Sequence, residues 1–109
     1  MRFHIPIRLP SLANLSHLHW RKLTTIKKVQ RLATKVCLTG IDLPTPPIIV
    51  TITRIGPRRM DDDNLASACK YVRDQIASAV GVDDGSDQYV WRYEQRKGKY
   101  GVDVEIVPI

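Results

Sequence analysis

The sequence predicts an α/β (α+β) fold: a small mixed sheet of about four strands covered by two helices, in the order β-α-β-α-β-β. Three observations carry this. The chain has 109 residues, the size of one ordinary domain, and its 43% hydrophobic content argues against disorder. Residues Ile48 to Ile55 form a β-branched apolar run, the mark of a buried strand. Two other stretches repeat apolar residues every three or four positions, the mark of helices packed on one side.

The elements follow in order. Residues 3–9 alternate loosely and predict a first strand, and residues 10–19 read as an irregular loop. From Trp20 to Leu38 the spacing of Leu23, Ile26, Val29/Gln30, Ala33 and Val36/Cys37 predicts a helix, which Gly40 stops. Asp42 to Pro47 contains three prolines and reads as a connector. The Ile48–Ile55 strand ends at Gly56-Pro57. A second helix spans about Asn64 to Val80, with Leu65, Cys69, Val72, Ile76 and Ala79/Val80 inward and Gly81 closing it. Asp87 to Lys97 alternates, and its aromatics Tyr89, Trp91 and Tyr93 read as core, with a base-stacking platform as the alternative. Gly98-Lys99-Tyr100-Gly101 reads as a hairpin turn into a last strand with Val102, Val104 and Ile106 inward.

The composition narrows the classes of function. The longest strictly aliphatic run is Ile48-Ile49-Val50, far short of the roughly 20 apolar residues that span a membrane. Arg2, Pro6, Arg8 and Pro10 interrupt the N-terminus, which does not read as a signal peptide. Cys37 and Cys69 form no CxxC pair and read as buried thiols, so a cytoplasmic location is expected. His17 and His19, beside Trp20, lack the further ligands that a zinc site needs.

Charge is divided unevenly. Residues 1–60 hold eleven Lys/Arg and one acid, Asp42, whereas residues 61–109 hold six Lys/Arg and ten acids. The sign changes at Arg58-Arg59-Met60-Asp61-Asp62-Asp63. A basic half favours a polyanion such as nucleic acid, because each cation that reaches a phosphate releases counterions. Five of the eleven acids fall in two short sites, Asp61 to Asp63 and Asp83-Asp84. One aspartate is explained as a helix cap; three adjacent ones repel each other unless a cation or donor groups gather there. Hard carboxylate oxygens suit Mg²⁺ or Mn²⁺, which polarise phosphoryl oxygens and activate water. Asp63, Ser67, Lys70 and Asp74 share one helical stripe, either an ordinary solvated face or a cation set beside the acids. The helix is about 25 Å long, so Asp84 meets Asp61 and Asp63 only if the chain after the helix folds back beside it.

Asp61-Asp62-Asp63-Asn64-Leu65, the helix with Lys70 and Asp74, and Gly81-Val82-Asp83-Asp84 together resemble the RusA family of Holliday-junction resolvases. The resemblance extends to Ile5–Pro10, Asn14, the basic helix Trp20–Arg31, and the strand leading to Arg58-Arg59. It covers most of the chain, 1–109, as a single nuclease domain. It implies an Mg²⁺-dependent endonuclease, acting as a homodimer, that cleaves branched DNA such as four-way junctions through a metal-activated water in recombination and repair. Position by position it implies that Asp61, Asp63 and Asp84 hold Mg²⁺ (or Mn²⁺) and that Lys70 stabilises charge on the phosphate. Arg58, Arg59, Asn14, Lys27, Lys28, Arg31 and Lys35 would contact DNA. The family lysine usually stands at the place of Ser67, and Lys70 follows about one turn later on the same face. Two rival readings are a non-catalytic DNA- or RNA-binding protein with a degenerate site, and a Ca²⁺-binding protein. The latter lacks EF-hand spacing.

Overall fold

β-Branched residues write the central strand, and the rest of the chain is arranged around it. The computed structural model describes residues 1–12 and 19–109. Most of the 10–19 loop, with Asn14 and His17, lies outside the described residues. Among those described, the order is β1 (Arg2–Ile5), α1 (Trp20–Leu38), β2 (Ile48–Gly56), α2 (Asp62–Ala68), α3 (Lys70–Val80), β3 (Tyr89–Lys97) and β4 (Gly101–Pro108). The strands form one mixed sheet in the order β1-β4-β2-β3. β3 pairs with β2 in parallel, from Ile48 opposite Tyr89 to Gly56 opposite Lys97, and β4 runs antiparallel to both β2 and β1.

The mixed α+β class therefore holds, with three differences of detail. First, β1 stops at Ile5, because Pro6 cannot donate to the ladder and the backbone turns there, with Ile7 N bonded to Ile5 O at 2.9 Å. Second, the long helix is two segments joined at Cys69, and it begins at Asp62. The bonding runs on through the joint, from Cys69 N to Leu65 O and from Arg73 N to Cys69 O. Third, Gly98–Gly101 is not a hairpin. β3 and β4 flank β2 on opposite sides, so the link crosses the end of β2, where Gly98 N donates to Gly56 O at 3.1 Å. A β-carbon on Gly98 would lie 3.0 Å from the Ile55 side chain, so glycine leaves room for the tight crossing.

The helices cover one face of the sheet. Ile48, Val50 and Ile52 of β2, with Val102, Val104 and Ile106 of β4, meet Leu65, Val72 and Ile76 there, all buried. Each such side chain contributes about 1.5–3 kcal/mol of burial. Tyr89 is buried, and Trp91 and Tyr93 pack against the same cluster, as the alternation predicts. On helix α1 the predicted face holds at Gln30, Ala33 and Cys37, with Thr34 and Leu38 also inward, while Val29, Leu32 and Val36 are exposed. The paired positions Val29/Gln30 and Val36/Cys37 allowed either rotation, and packing on α3 selects the second residue of each. The opposite sheet face is open and charged. There the His4 ring at 2.6 Å, and then the Arg96 guanidinium at 2.8 Å, hold the Asp103 carboxyl below the usual carboxylate range. Among the described residues no helix is long and apolar enough to cross a membrane.

Both cysteines are free, and Cys69 is fully buried. Burial pushes its thiol up to about 12, against the opposing pull of Arg54 and Arg73. In the unfolded chain the thiol ionises near 9.0. The buried thiol therefore supports folding below that pH, and its contribution is lost as pH rises from 9.0 toward 12. Urea unfolding midpoints should fall more steeply above pH 9 in the wild type than in Cys69→Ala.

Candidate functional site

The core alternation of β2 ends on a charged residue. Ile48, Val50 and Ile52 place the next inward position at Arg54, whose side chain is only 7% exposed. Its guanidinium clamps two backbone segments: Nε donates to Leu9 O and Nη1 to Arg58 O, both at 2.9 Å. The β-carbon that Gly56 lacks would lie 3.1 Å from this guanidinium, so glycine leaves the space across which Arg54 reaches. The segment after β1 and the Arg58-Arg59 turn are thereby held on either side of one side chain.

A second clamp fixes the acidic turn. Met60 N donates to Gln95 Oε1 at 3.0 Å, and Gln95 Nε2 donates to Met60 O at 2.7 Å. This reciprocal pair ties the residue before Asp61 to β3. Asp61 then caps α2 through its backbone, with its carbonyl accepting from Leu65 N at 2.8 Å. Its carboxylate is free of cap bonds and accepts from the Asn64 amide at 3.3 Å. Asp62 and Asp63 stand exposed in the first turn of α2, where helix amides favour negative charge. Asp61 and Asn64 line a cleft of about 740 Å³ together with Arg8, Arg54, Arg58 and Arg59. Arg58, Arg59, Asp61 and Asn64, neighbours in sequence, are thus neighbours in one concave site.

Asp84 stands elsewhere. Its carboxylate accepts from Arg73 Nε at 3.0 Å, and its carbonyl accepts from Trp91 Nε1 at 2.9 Å. Arg73 also donates to the Tyr93 hydroxyl at 2.9 Å. Burial works against the charge on Arg73, but the Tyr93 bond and the nearby Asp84 and Asp74 carboxylates raise its pKa above the ordinary arginine value. Asp83 and Asp84 line a shallow hollow of about 320 Å³ with Asp74 and Gly81, distinct from the Asp61 cleft. The loop after α3 does fold back, as far as Arg73. About 15 Å of helical rise separates that residue from Asp63. Among the described residues no three His, Cys, Asp or Glu side chains converge as a metal site.

The basic residues divide between two surfaces. Lys27, Arg31 and Lys70 gather around the Tyr71 ring at 5.6, 5.9 and 6.0 Å, and Arg31 also meets Asp74 at 3.5 Å. Lys28 and Lys35 are exposed on α1. Arg58 and Arg59 belong to the cleft. Arg54, Gln95 and Arg73 are structural participants that the motif search does not single out. The period-two alternation of β2 and β3 could have found the first two, since Arg54 continues Ile48-Val50-Ile52 and Gln95 continues Tyr89-Trp91-Tyr93. Compared with family models and with curated proteins, the chain matches none.

The donor chemistry fits Mg²⁺ in part. Asp61 and Asp63 offer hard carboxylate oxygens, and Mg²⁺ commonly takes one or two carboxylates, with water and substrate phosphate completing its shell. Asp84, bonded to Arg73 in its own hollow, stands apart from such a set. Replacing Arg73 with Met should cost about 1–2 kcal/mol in urea unfolding, at the low end for charged hydrogen bonds because both partners are partly in water.

Proposed function

We propose that the protein is a divalent-metal-dependent endonuclease acting on branched DNA, with Asp61 and Asp63 at its catalytic centre. The observation that carries this reading is the cleft in which Asp61, at a helix start, lies beside Arg58 and Arg59, with Asp63 in the first turn of the same helix. A carboxylate group so close to arginines in an open, solvent-reached cleft suits a site that handles both a metal and a phosphodiester. Bound Mg²⁺ would supply polarisation of the phosphoryl oxygen and an activated water.

The chain's own residues have separate tasks in this reading. Gln95 fixes the turn through Met60, so that Asp61 and Asp63 are presented without rearrangement. Asn64 orients the Asp61 carboxylate. Arg58 and Arg59 draw the phosphate backbone toward the acids. Lys70, with Lys27 and Arg31, forms a basic seam between α1 and α3 that attracts another stretch of the polyanion. Asp84, the third carboxylate of the resemblance, sits with Arg73 in a separate hollow and would enter the set only through a shift of the loop after α3 toward Asp61. A homodimer would present two such clefts to the opposed strands of a four-way junction.

The Asp84–Arg73 bond also favours a second reading, a nucleic-acid-binding protein without turnover, in which Asp84 is a structural residue. One experiment separates them. Purified protein incubated with a synthetic four-way junction should cut it with Mg²⁺ and not with EDTA. Asp63→Asn should abolish cutting while leaving junction binding within about threefold of wild type, because the carboxylate makes no phosphate contact of its own. Normal cutting by Asp63→Asn would remove Asp63 from the site, and no cutting by the wild type would leave the binding reading in its place.

A further inference from the structure

The cleft beside Asp61 has a feature that metal chemistry does not need. Arg54 is buried to 7% exposure, and no carboxylate among the described residues pairs with it. Its partners are the two neutral carbonyls of Leu9 and Arg58. A buried guanidinium whose charge is not neutralised is unfavourable unless an anion completes its surroundings. It lines the 740 Å³ cleft and also a smaller adjoining cavity of about 160 Å³, whose other wall is Gln95, Arg96 and Lys97. Arginine and lysine therefore continue from one cavity into the next around a buried cation.

An aromatic ring also lines this cleft. The link that crosses the end of β2 places Tyr100 in the same cleft, 44% exposed. Arg8 lies over this ring, its Cζ 4.7 Å from the centroid. Aromatic rings set in a cationic groove are how single-stranded nucleic acids are held: bases stack on the ring and phosphates follow the cations. Paired bases inside a duplex do not offer their faces in this way.

We infer that this cleft seats an unpaired nucleotide, its base against the Arg8–Tyr100 pair and its phosphate over Arg54, Arg58 and Arg59. The inference deepens the proposed nuclease reading by naming the substrate as DNA with an unpaired nucleotide next to the cut. Tyr100 sets specificity and touches no reacting atom.

The test is binding in EDTA, where no cutting occurs. Fluorescence anisotropy would follow a short labelled oligothymidylate and a blunt duplex of equal length against wild type, Tyr100→Ala and Tyr100→Phe. Tyr100→Ala should weaken oligothymidylate binding about tenfold, the loss of one base stack, and leave duplex binding unchanged. Tyr100→Phe should bind as wild type. A double Arg58→Ala/Arg59→Ala variant should lower the salt slope of oligothymidylate binding by about 1.4, two single-strand phosphate contacts. Wild type that fails to bind the oligothymidylate, Tyr100→Ala that binds it normally, or equal loss on duplex would each overturn the inference. Binding of this pattern without Mg²⁺-dependent cutting of any junction would keep the cleft and remove the nuclease. Cutting that Tyr100→Ala leaves untouched, along with its binding, would do the reverse.

Discussion

The buried guanidinium of Arg54 is the constraint around which this end of the molecule is organised. It occupies a position that strand alternation reserves for an apolar residue, and it offsets only part of that cost by bonding to backbone from two distant segments. One segment follows β1 and carries Arg8; the other follows β2 and carries Arg58, Arg59 and the acid turn. Because Gly56 offers no side chain, the guanidinium can lie against the end of its own strand and hold both segments at once. A hydrophobic residue there would fill the core equally well and leave the two segments untethered.

Gln95 supplies the second restraint, and the two act on residues two apart in the chain. Arg54 takes the carbonyl of Arg58, and Gln95 takes both backbone groups of Met60. Arg54 and Gln95 face each other across the β2–β3 pair in the parallel register. A turn carrying two arginines and three aspartates would otherwise be an exposed loop. Fastened to neighbouring positions of a sheet, it is tied down at Arg58 and Met60, with Arg58, Arg59 and Asp61 lining one cleft.

Much of this was legible in the sequence, for physical reasons that can be named. The β2 run, the α1 boundaries and the inward face of β4 followed from periodicity, because burial on one side imposes it directly. The pairing of strands did not follow. Gly98–Gly101 has the composition of a hairpin, but turn chemistry is local, and β2 outcompetes the hairpin partner by accepting strands on both edges. The rotation of α1 was open because apolar residues sit on adjacent positions, and only contact with α3 decides between them. Within the site, the cluster from Arg58 to Asn64 was legible because it is contiguous. The place of Asp84 was not, since it depends on Arg73, an unremarkable cation on a helix whose partner could be named only once the following loop had a course.

The strand order has a consequence for how the chain reaches its final form. β1, at residues 2–5, pairs with residues 102–105 of β4, and the amino group of Met1 donates to Ile106 O at 3.1 Å. β4 also fills the position between β1 and β2, so the sheet is continuous only once residues 101–108 are present. Pairings of such long sequence separation demand extensive loop closure before they return any stabilisation, which slows folding relative to helical proteins of the same size. A ribosome-bound nascent chain therefore holds an incomplete sheet until β4 emerges, with the edge of β2 bare and open to intermolecular pairing in the meantime.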